Sequence, residues 1–482
     1  MARPPSTVSV DLLRLPVVGA FLRHRAGRTT LQLLVLAVAA IAVLHGLLGP
    51  QLAPRNLATV LTSIHWRGLL LLAIVAAGNL FCTACPMILA RDTGRRVFHA
   101  RLRWPRRLRG KWVGLVLFVV VLFAYERFDL WSSPSAVAWT ILGYFVAAVA
   151  VDTVFAGASF CKHVCPIGQF NFMASTMSPT ELRIRDAGTC GSCRTADCIK
   201  GRPALEPHAP VLRGCELGLF LPAKVGNLDC TLCLDCVHAC PHDNIALAIR
   251  TPGAEIIEDG RRAGIGKLGL RPDLAALAAV FTFGALLSAF VMTAPARTVE
   301  RGVADILSLS SPGAGLAVLF LVGIGLLPVA LVTGSALVTR TLARAETRTL
   351  QWIAVRYVHA LVPLGVGVWL AHYGFHLLTG ALTVVPVTQS AVIDLIGLPI
   401  LGEPWWTWVG MQPGNVFPIQ LGVVLVGALG SMGLVQATSH RDHPAHAALA
   451  SVPWITLVGG LAAAAWWIFT QPMDMRGVSR FG

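Results

Sequence analysis

Charged residues are scarce in this chain: they make up 13% of its 482 residues. A soluble chain carries about 25%, so the composition excludes an ordinary cytosolic protein. The mean hydropathy is +0.67, and nearly uncharged stretches of about 18 or more residues recur, each long enough to cross a hydrocarbon core of about 30 Å. The sequence therefore predicts a mainly α-helical, polytopic membrane protein in a lipid bilayer.

Motifs for nucleotide chemistry and for hydrolysis are missing as well. The chain has no phosphate-cradling glycine loop, no dinucleotide fingerprint after a strand, and no Ser/His/Asp arrangement that can be argued. The formal net charge is +15, but most basic residues lie in loops between hydrophobic runs, where they report membrane orientation. We therefore expect no nucleic-acid partner.

About nine hydrophobic runs are predicted to span the membrane, four before and five after a polar segment. They are about 30–49, 58–81, 112–127, 136–160, 273–294, 313–336, 352–379, 417–436 and 449–470. Three domains follow from this pattern. They are a four-span membrane region (1–166) with two span-end cysteine motifs, a polar domain (167–270) and a five-span membrane region (271–482).

Basic residues predict the orientation. The N-terminal arm is rich in arginine up to Arg28, and the loop from Arg91 to Lys111 is basic throughout, with Asp92 as its single acid. Both segments should be cytoplasmic by the positive-inside rule. This places the N-terminus and the polar domain in the cytoplasm and the C-terminus outside, in a bacterial-type inner membrane.

All twelve cysteines lie in the first half of the chain. Tight Cys-x-x-Cys groups flanked by basic loops indicate metal or redox chemistry rather than a disulfide framework. The strongest group is Cys230-x2-Cys233-x2-Cys236-x3-Cys240-Pro241. At this spacing three thiolates hold one [4Fe–4S] cluster, and the fourth usually ligates the other cluster of a two-cluster ferredoxin. A zinc site would use two separated Cys-x-x-Cys knuckles instead.

A second cysteine motif with less regular spacing lies upstream of the first, as Cys190-x2-Cys193-x4-Cys198 followed by Cys215. With the usual exchange of fourth ligands, the two predicted clusters take two quartets. They are Cys190, Cys193, Cys198 and Cys240 for the first, and Cys230, Cys233, Cys236 and Cys215 for the second. The x4 spacing leaves a second pairing open, in which each quartet along the chain holds its own cluster. The polar domain is thus predicted to be a small α+β two-cluster ferredoxin module.

Four cysteines remain, Cys82, Cys85, Cys161 and Cys165, and four is the ligand number of one more cubane. Each pair ends an outside-to-inside helix, so both pairs lie at the same membrane depth. Our hypothesis is a third [4Fe–4S] cluster at this place. The alternatives are a reactive dithiol, which a basic surrounding would favour by lowering the thiol pKa, and plain buried cysteines at helix ends.

Ionisable residues inside predicted spans mark a further candidate site. His372 and His376 are four residues apart in span seven, so they share one helix face. Asp152 lies in span four, about two turns before the second cysteine pair. Ionisable side chains in a bilayer are costly and are a functional hypothesis by default. We interpret these three residues as a quinone or proton site.

Two alternatives stay open for the histidine pair. One is a pair that is hydrogen-bonded between helices. The other is axial ligation of a b-type haem, which would need histidines facing it from a second side. His45 and His65 lie near the outer ends of spans one and two, but no spacing rule links them to His372 and His376.

The run from Cys82 to Cys240 resembles the NapH/NosR group of membrane-bound polyferredoxins, over about residues 60–270. The resemblance lies in a CxxCP motif at one helix end, a CxxxCPxGxF motif from Cys161 to Phe170, and the two-cluster ferredoxin segment. It implies electron transfer between membrane quinol and partner redox proteins, or support for the maturation of a terminal enzyme. It assigns no residue in spans five to nine.

The predicted function is therefore membrane-bound iron–sulfur electron transfer between a quinone/quinol pool and a cytoplasmic or membrane redox protein, as in a subunit of a quinol oxidoreductase. The alternative is an assembly factor that reduces a metal or a thiol for a respiratory enzyme.

Overall fold

The computed structural model describes residues 10–98, 102–203, 211–258, 260–308, 313–406 and 409–473. Three parts of the chain that concern the orientation lie outside these described residues: residues 1–9 of the N-terminal arm, residues 99–101 of the basic loop, and the C-terminal tail after residue 473.

Eight helices in the described residues are long and apolar enough to cross a membrane. They are α1 (Ala26–Leu48), α2 (Leu57–Ala77), α3 (Pro134–Val154), α4 (Pro272–Phe290), α5 (Ala314–Leu342), α6 (Leu350–Thr379), α7 (Pro413–Asp442) and α8 (Pro444–Thr470). The shortest has 19 residues and extends about 29 Å at 1.5 Å per residue. The chain is therefore a helical multi-pass membrane protein.

The prediction of nine spans counts one more than the structure has in its described residues. The predicted span 112–127 forms the helix Trp112–Arg127, whose 16 residues extend about 24 Å, which is less than the hydrocarbon core of about 30 Å. Lys111 and Glu126 are buried at its two ends, so polar side chains limit the apolar run on both sides.

Shorter helices connect these spans. They are Val18–Arg23, Leu80–Thr83, Met87–Val97, Pro166–Ala174, Ala187–Ser192, Asp197–Lys200, Asp235–Ala239, Ala254–Ile257, Ala294–Ile306 and Val384–Ile396. Two of them begin directly at the prolines of the span-end cysteine motifs: Pro86 precedes Met87–Val97, and Pro166 is the first residue of Pro166–Ala174. Proline suits a helix start because its missing N–H is not needed there.

The described residues contain one sheet, of two antiparallel strands, β1 (Thr180–Ile184) and β2 (Ile245–Ile249). Leu182 pairs with Leu247, and both side chains are buried. The Asp11 carboxylate accepts a hydrogen bond from the Leu247 N–H at 3.2 Å, which fixes the N-terminal arm beside the sheet. This sheet is smaller than the predicted α+β module suggests, and the module as such stays a prediction.

The chain divides into two compact units. The first is built from the described parts of Met1–Ala37, Ala73–Val113 and Phe145–Arg271, and the second from those of Val38–Leu72, Gly114–Tyr144 and Pro272–Gly482. All twelve cysteines belong to the first unit, and His372 and His376 belong to the second. The predicted division at residues 166 and 270 stays a prediction.

The core of the first unit packs aliphatic side chains directly around cysteines. Buried leucines from β1, β2 and the loops between them surround Cys230 and Cys236. Burying such side chains stabilises a fold by about 25 cal/mol per Å² of apolar surface. The cysteines therefore lie inside a packed apolar core, where an unpaired charge is costly.

Candidate metal centres and an intramembrane polar site

The twelve cysteines line three cavities, four to each. Cavity A has Cys190, Cys193, Cys198 and Cys240 in its wall, cavity B has Cys215, Cys230, Cys233 and Cys236, and cavity C has Cys82, Cys85, Cys161 and Cys165. The volumes are about 330 Å³ for A and for B and about 580 Å³ for C. This grouping has the same members as the exchanged pairing and the span-end quartet. The assignment of ligands stays a prediction.

Cavities A and B are built on the same local plan. Leu234, with φ of 63°, precedes the helix Asp235–Ala239, which carries Cys236. Ala196, with φ of 52°, precedes the helix Asp197–Lys200, which carries Cys198. A left-handed residue beside a helical one lets successive N–H groups face the same side. The two extra residues before Cys198 are therefore accommodated ahead of this turn and do not alter it.

N–H groups donate hydrogen bonds to cysteine sulfur atoms in all three cavities. The donor–acceptor pairs are Asn244 Nδ2 to Cys190 Sγ at 3.3 Å and Asn244 N to Cys240 Sγ at 3.4 Å in A, Leu219 N to Cys215 Sγ at 3.4 Å in B, and Gly168 N to Cys165 Sγ at 3.2 Å and Asn171 Nδ2 to Cys82 Sγ at 3.5 Å in C. Hydrogen bonds to sulfur are among the factors that set iron–sulfur potentials. Sequence analysis missed both asparagines.

Burial raises the pKa of four of the thiols that line cavities B and C. The pKa of Cys165 rises to about 12, and those of Cys161, Cys233 and Cys236 rise well above the ordinary value. These cysteines therefore ionise only beside a group that stabilises a thiolate, as a bound metal does. The lowered pKa that the reactive-dithiol alternative requires is not found at Cys161 or Cys165.

The pKa of the Cys193 thiol in cavity A is lowered rather than raised. Hydrogen bonds from the backbone of Ala196 and the side chain of Thr195 lower its pKa. Cys193 is half-buried, and its neighbours Ser192 and Arg194 are exposed. This cavity is therefore closer to solvent than the other two.

Arg91 and Asp152 both line cavity C. An Nη1–Oε2 distance of 2.8 Å joins Arg91 to Glu216. Asp152 Oδ1 accepts a hydrogen bond from the Phe160 N–H at 2.8 Å, and its Oδ2 lies 3.8 Å from Arg91 Nη1. The structure therefore places Asp152 beside the span-end cysteines in the first unit, whereas the two histidines grouped with it by sequence belong to the second.

Lys111 and Asp229 form a buried ion pair between two cysteine motifs. Their Nζ and Oδ1 atoms are 2.5 Å apart, and Lys111 also donates to the Lys162 carbonyl at 2.9 Å. Asp229 precedes Cys230, and Lys162 follows Cys161. The pair therefore ties cavity B to cavity C. Sequence analysis had counted Lys111 only as one of the basic loop residues that report orientation.

The described Cys, His, Asp and Glu side chains include no three that converge closely enough to hold a single metal ion. A mononuclear zinc site needs four ligands at about 2.0–2.3 Å from one ion. A [4Fe–4S] cluster takes its four thiolates on four different irons, so its ligands stand further apart.

His372 and His376 lie on one face of α6, as their spacing predicts, with ring centroids 5.5 Å apart. His372 is 4% exposed. Its Nε2 is 3.3 Å from Met292 Sδ, and its Nδ1 has no hydrogen-bond partner among the described residues. Buried polar atoms are normally paired, so this nitrogen is free for a ligand.

Arg67 was missed by sequence analysis and lies in the same unit. Its guanidinium is 3.9 Å from the ring centroid of Tyr125 and 5.4 Å from that of Tyr373, and Tyr373 contacts the His372 ring at 5.1 Å. An arginine in the middle of an apolar run such as α2 is a signal in itself, since charges inside a membrane are costly and mark functional sites.

The histidines considered for haem ligation are engaged elsewhere. His45 Nε2 is 3.2 Å from Asp394 Oδ2, and its Nδ1 accepts the Leu57 N–H at 3.0 Å. Both ring nitrogens of His65 are 3.1 Å from carbonyl oxygens. Neither histidine therefore offers a free ring nitrogen in this arrangement.

Similar curated proteins include YccM of Escherichia coli (26% identical over 227 residues), the ferredoxin-type protein NapH of Escherichia coli (26% over 194) and the ferredoxin-type protein NapH of Haemophilus influenzae (25% over 208). The alignments cover 40%, 36% and 39% of this chain. They cover 59%, 64% and 69% of the relatives, so the chain spans less than two thirds of the first two. No family model and no solved structure matches. The predicted resemblance to NapH is confirmed.

Proposed function

We propose that this chain is a membrane-bound electron-transfer protein that holds three [4Fe–4S] clusters and relays electrons between a quinone/quinol pool and a redox protein. The observation that carries the proposal is the grouping of twelve cysteines around three cavities, four to each. Four thiolates are the ligand set of one cubane. The similarity to ferredoxin-type NapH proteins supports the same function.

The residues around the cavities fit such clusters. Soft thiolates are the ligands that iron–sulfur clusters take, and each cavity has sulfur atoms that accept N–H hydrogen bonds. The raised pKa values of buried thiols such as Cys236 suit ligands that lose their protons only on binding metal. Bound in these cavities, the clusters would take up and release single electrons.

The three cavities adjoin in the order A, B, C. Leu221 lines both A and B, and Thr231 lines both B and C. Leu221 is 5% exposed and Thr231 is 6% exposed, so a buried side chain borders both cavities at each of the two junctions. Such a series is a route rather than three separate structural centres.

The quinone site belongs, in this proposal, to the buried polar group of the second unit. Oxidation of a quinol releases two electrons and two protons, so the site needs a proton acceptor beside an aromatic wall. His372 Nδ1 has no hydrogen-bond partner in the part of the chain that the structure describes, and Trp369 stacks on the His372 ring with centroids 6.4 Å apart. Arg67 and Tyr373 add a cation and a hydroxyl.

The finer parts of the assignment are proposals of the same account. Residues 167–270 form the two-cluster ferredoxin module, and this module and the N-terminus face the cytoplasm. The basic loop from Arg91 to Lys111 supports this orientation through the positive-inside rule.

Anaerobic titration with a water-soluble quinol analogue tests the proposal. We expect the quinol to bleach the iron–sulfur absorbance, or an oxidised quinone analogue to restore it after dithionite. A His372→Leu variant should react with the analogue at least tenfold more slowly but with dithionite at the same rate. His440→Leu, at an exposed histidine of α7, is the matched control and should change neither rate.

Two results would count against this function. If neither analogue changes the absorbance, the quinone link is wrong. If the protein at the same time reduces cupric ion, the assembly-factor alternative is favoured.

A further inference from the structure

The walls of the three cavities differ in their exposure to solvent. Cavity C is enclosed by buried side chains such as Phe160 and Phe172, and cavity B by Leu182, Leu217 and Leu219, all at most 4% exposed. The wall of cavity A instead includes exposed residues, Pro241 and His242. Of the three, A is therefore the cavity whose wall includes residues exposed on the protein surface.

We infer that cavity A is the port at which this chain exchanges electrons with a soluble protein that carries one electron at a time. The inference rests on the proposed function. The exchange balances simply: the reduced carrier loses one electron, and the group held by Cys190, Cys193, Cys198 and Cys240 gains it. No bond forms or breaks, and no proton needs to move.

The surface between Cys190 and Cys193 is suited to the close approach of another protein. Gly191 and Ser192, the two residues between these ligands, are both exposed and carry little or no side chain. A Cβ added at Gly191 would meet no described atom within 4 Å, so no residue that the structure describes covers this spot. Short side chains here leave a partner's cofactor close to the thiolates.

The charges around the port are mixed. Arg194 and Lys200 are exposed, and so is Asp243. Transient electron-transfer encounters bury small interfaces, below about 1,200 Å², and a mixed rim of this kind suits a brief contact better than a permanent one. A carrier protein that binds and leaves is therefore the partner that this surface fits.

Substitution of the exposed Gly191 tests whether a partner protein exchanges electrons at cavity A. Gly191→Trp places a large ring over the approach, while Gly260→Trp is the matched control. Gly260 is also exposed, belongs to the same unit and lines none of the three cavities, and no atom of the described residues lies within 4 Å of a Cβ added there. Neither glycine has a positive φ. The donors are a reduced two-cluster ferredoxin, which is protein-sized, and reduced methyl viologen, which is small.

We expect Gly191→Trp to lower the second-order rate of reduction by ferredoxin at least tenfold, and to change the rate with viologen less than twofold. Gly260→Trp should change neither rate. The iron content of all variants should equal that of the wild type. If Gly191→Trp loses iron, Arg194→Trp at the neighbouring exposed position replaces it with the same expectation.

The inference is overturned if the Trp variant at the port is reduced by ferredoxin as fast as the wild type, or if Gly260→Trp slows the reaction equally. It is also overturned if ferredoxin does not reduce a wild-type protein that viologen does reduce. Failure of the proposed function gives a different result, because the wild type would then contain no iron and neither donor would change its absorbance.

Discussion

All twelve cysteines belong to the first unit, whereas the second unit has none and buries His372 and partly buries Arg67 and Tyr373 instead. Iron–sulfur clusters need soft thiolates, and thiols can be packed among leucines because they are weakly polar. Handling protons needs groups that titrate. The cysteines that could hold electron carriers therefore lie in one compact unit and the intramembrane histidine pair in the other, while Asp152 lies with the cysteines.

The largest expected effect is on iron content. It tests whether iron binding depends only on residues of the first unit. Cys236→Ala and Cys82→Ala should each lower the iron content from about twelve to about eight per chain, since each cubane holds four irons. His372→Leu in the second unit should leave it unchanged. Iron and sulfide analysis of anaerobically purified variants measures this.

Two outcomes would break this part of the comparison. Loss of iron in His372→Leu would mean that the second unit also holds metal. A wild-type content of about eight, unchanged in Cys82→Ala, would reject a cluster in cavity C.

A smaller effect concerns the ion pair that ties cavities B and C together. Lys111→Met leaves the Asp229 carboxylate buried without its cation, and we expect a loss of about 3–5 kcal/mol of folding stability. Thermal unfolding in detergent at fixed protein concentration measures the change. Arg109→Met, at an exposed position of the same loop, should leave the folding stability nearly unchanged. The double variant Lys111→Met/Asp229→Leu should be more stable than Lys111→Met, because it leaves no unpaired buried charge. A double variant that is no more stable than Lys111→Met would contradict the ion pair.

The smallest expected effect is on the reduction potential of the cluster in cavity C, and it tests the role of a buried charge in the first unit. Arg91 lines cavity C and is 4% exposed, so its positive charge favours an added electron there. Arg91→Gln should lower the reduction potential of the cluster in cavity C by about 30–60 mV, where about 59 mV is a tenfold change for one electron. An EPR-monitored redox titration measures it. Arg96→Gln, which is exposed, should shift it much less, and an equal shift would show that Arg91 has no special role.

The three groups of cysteines that line the cavities have the same members as the groups predicted from the sequence, because ligand spacing is a local property. The x4 spacing before Cys198 looked like a departure, yet the left-handed turn at Ala196 repeats the one at Leu234, and such a turn depends on only a few residues. The spans themselves end earlier, α2 at Ala77 and α3 at Val154, and Pro86 and Pro166 stand where the following helices begin.

Contacts between distant segments could not be predicted in the same way. Lys111 and Asp229 are far apart in the chain, and nothing local shows that they pair. Arg67 was not singled out from the sequence, and its position against Tyr125 and Tyr373 becomes visible only in the structure. The helix Trp112–Arg127 was counted as a span on hydropathy alone. It is too short to cross the hydrocarbon core, and Lys111 and Glu126 are buried at its two ends.

The measurement that tests the account most directly is iron and sulfide analysis together with an EPR spectrum of the reduced, anaerobically purified wild type. The account predicts about twelve irons and as many sulfides per chain, and a spectrum in which the clusters interact magnetically because cavities A, B and C adjoin. A colourless, iron-free protein that is folded and still transfers electrons from a quinol analogue would contradict it.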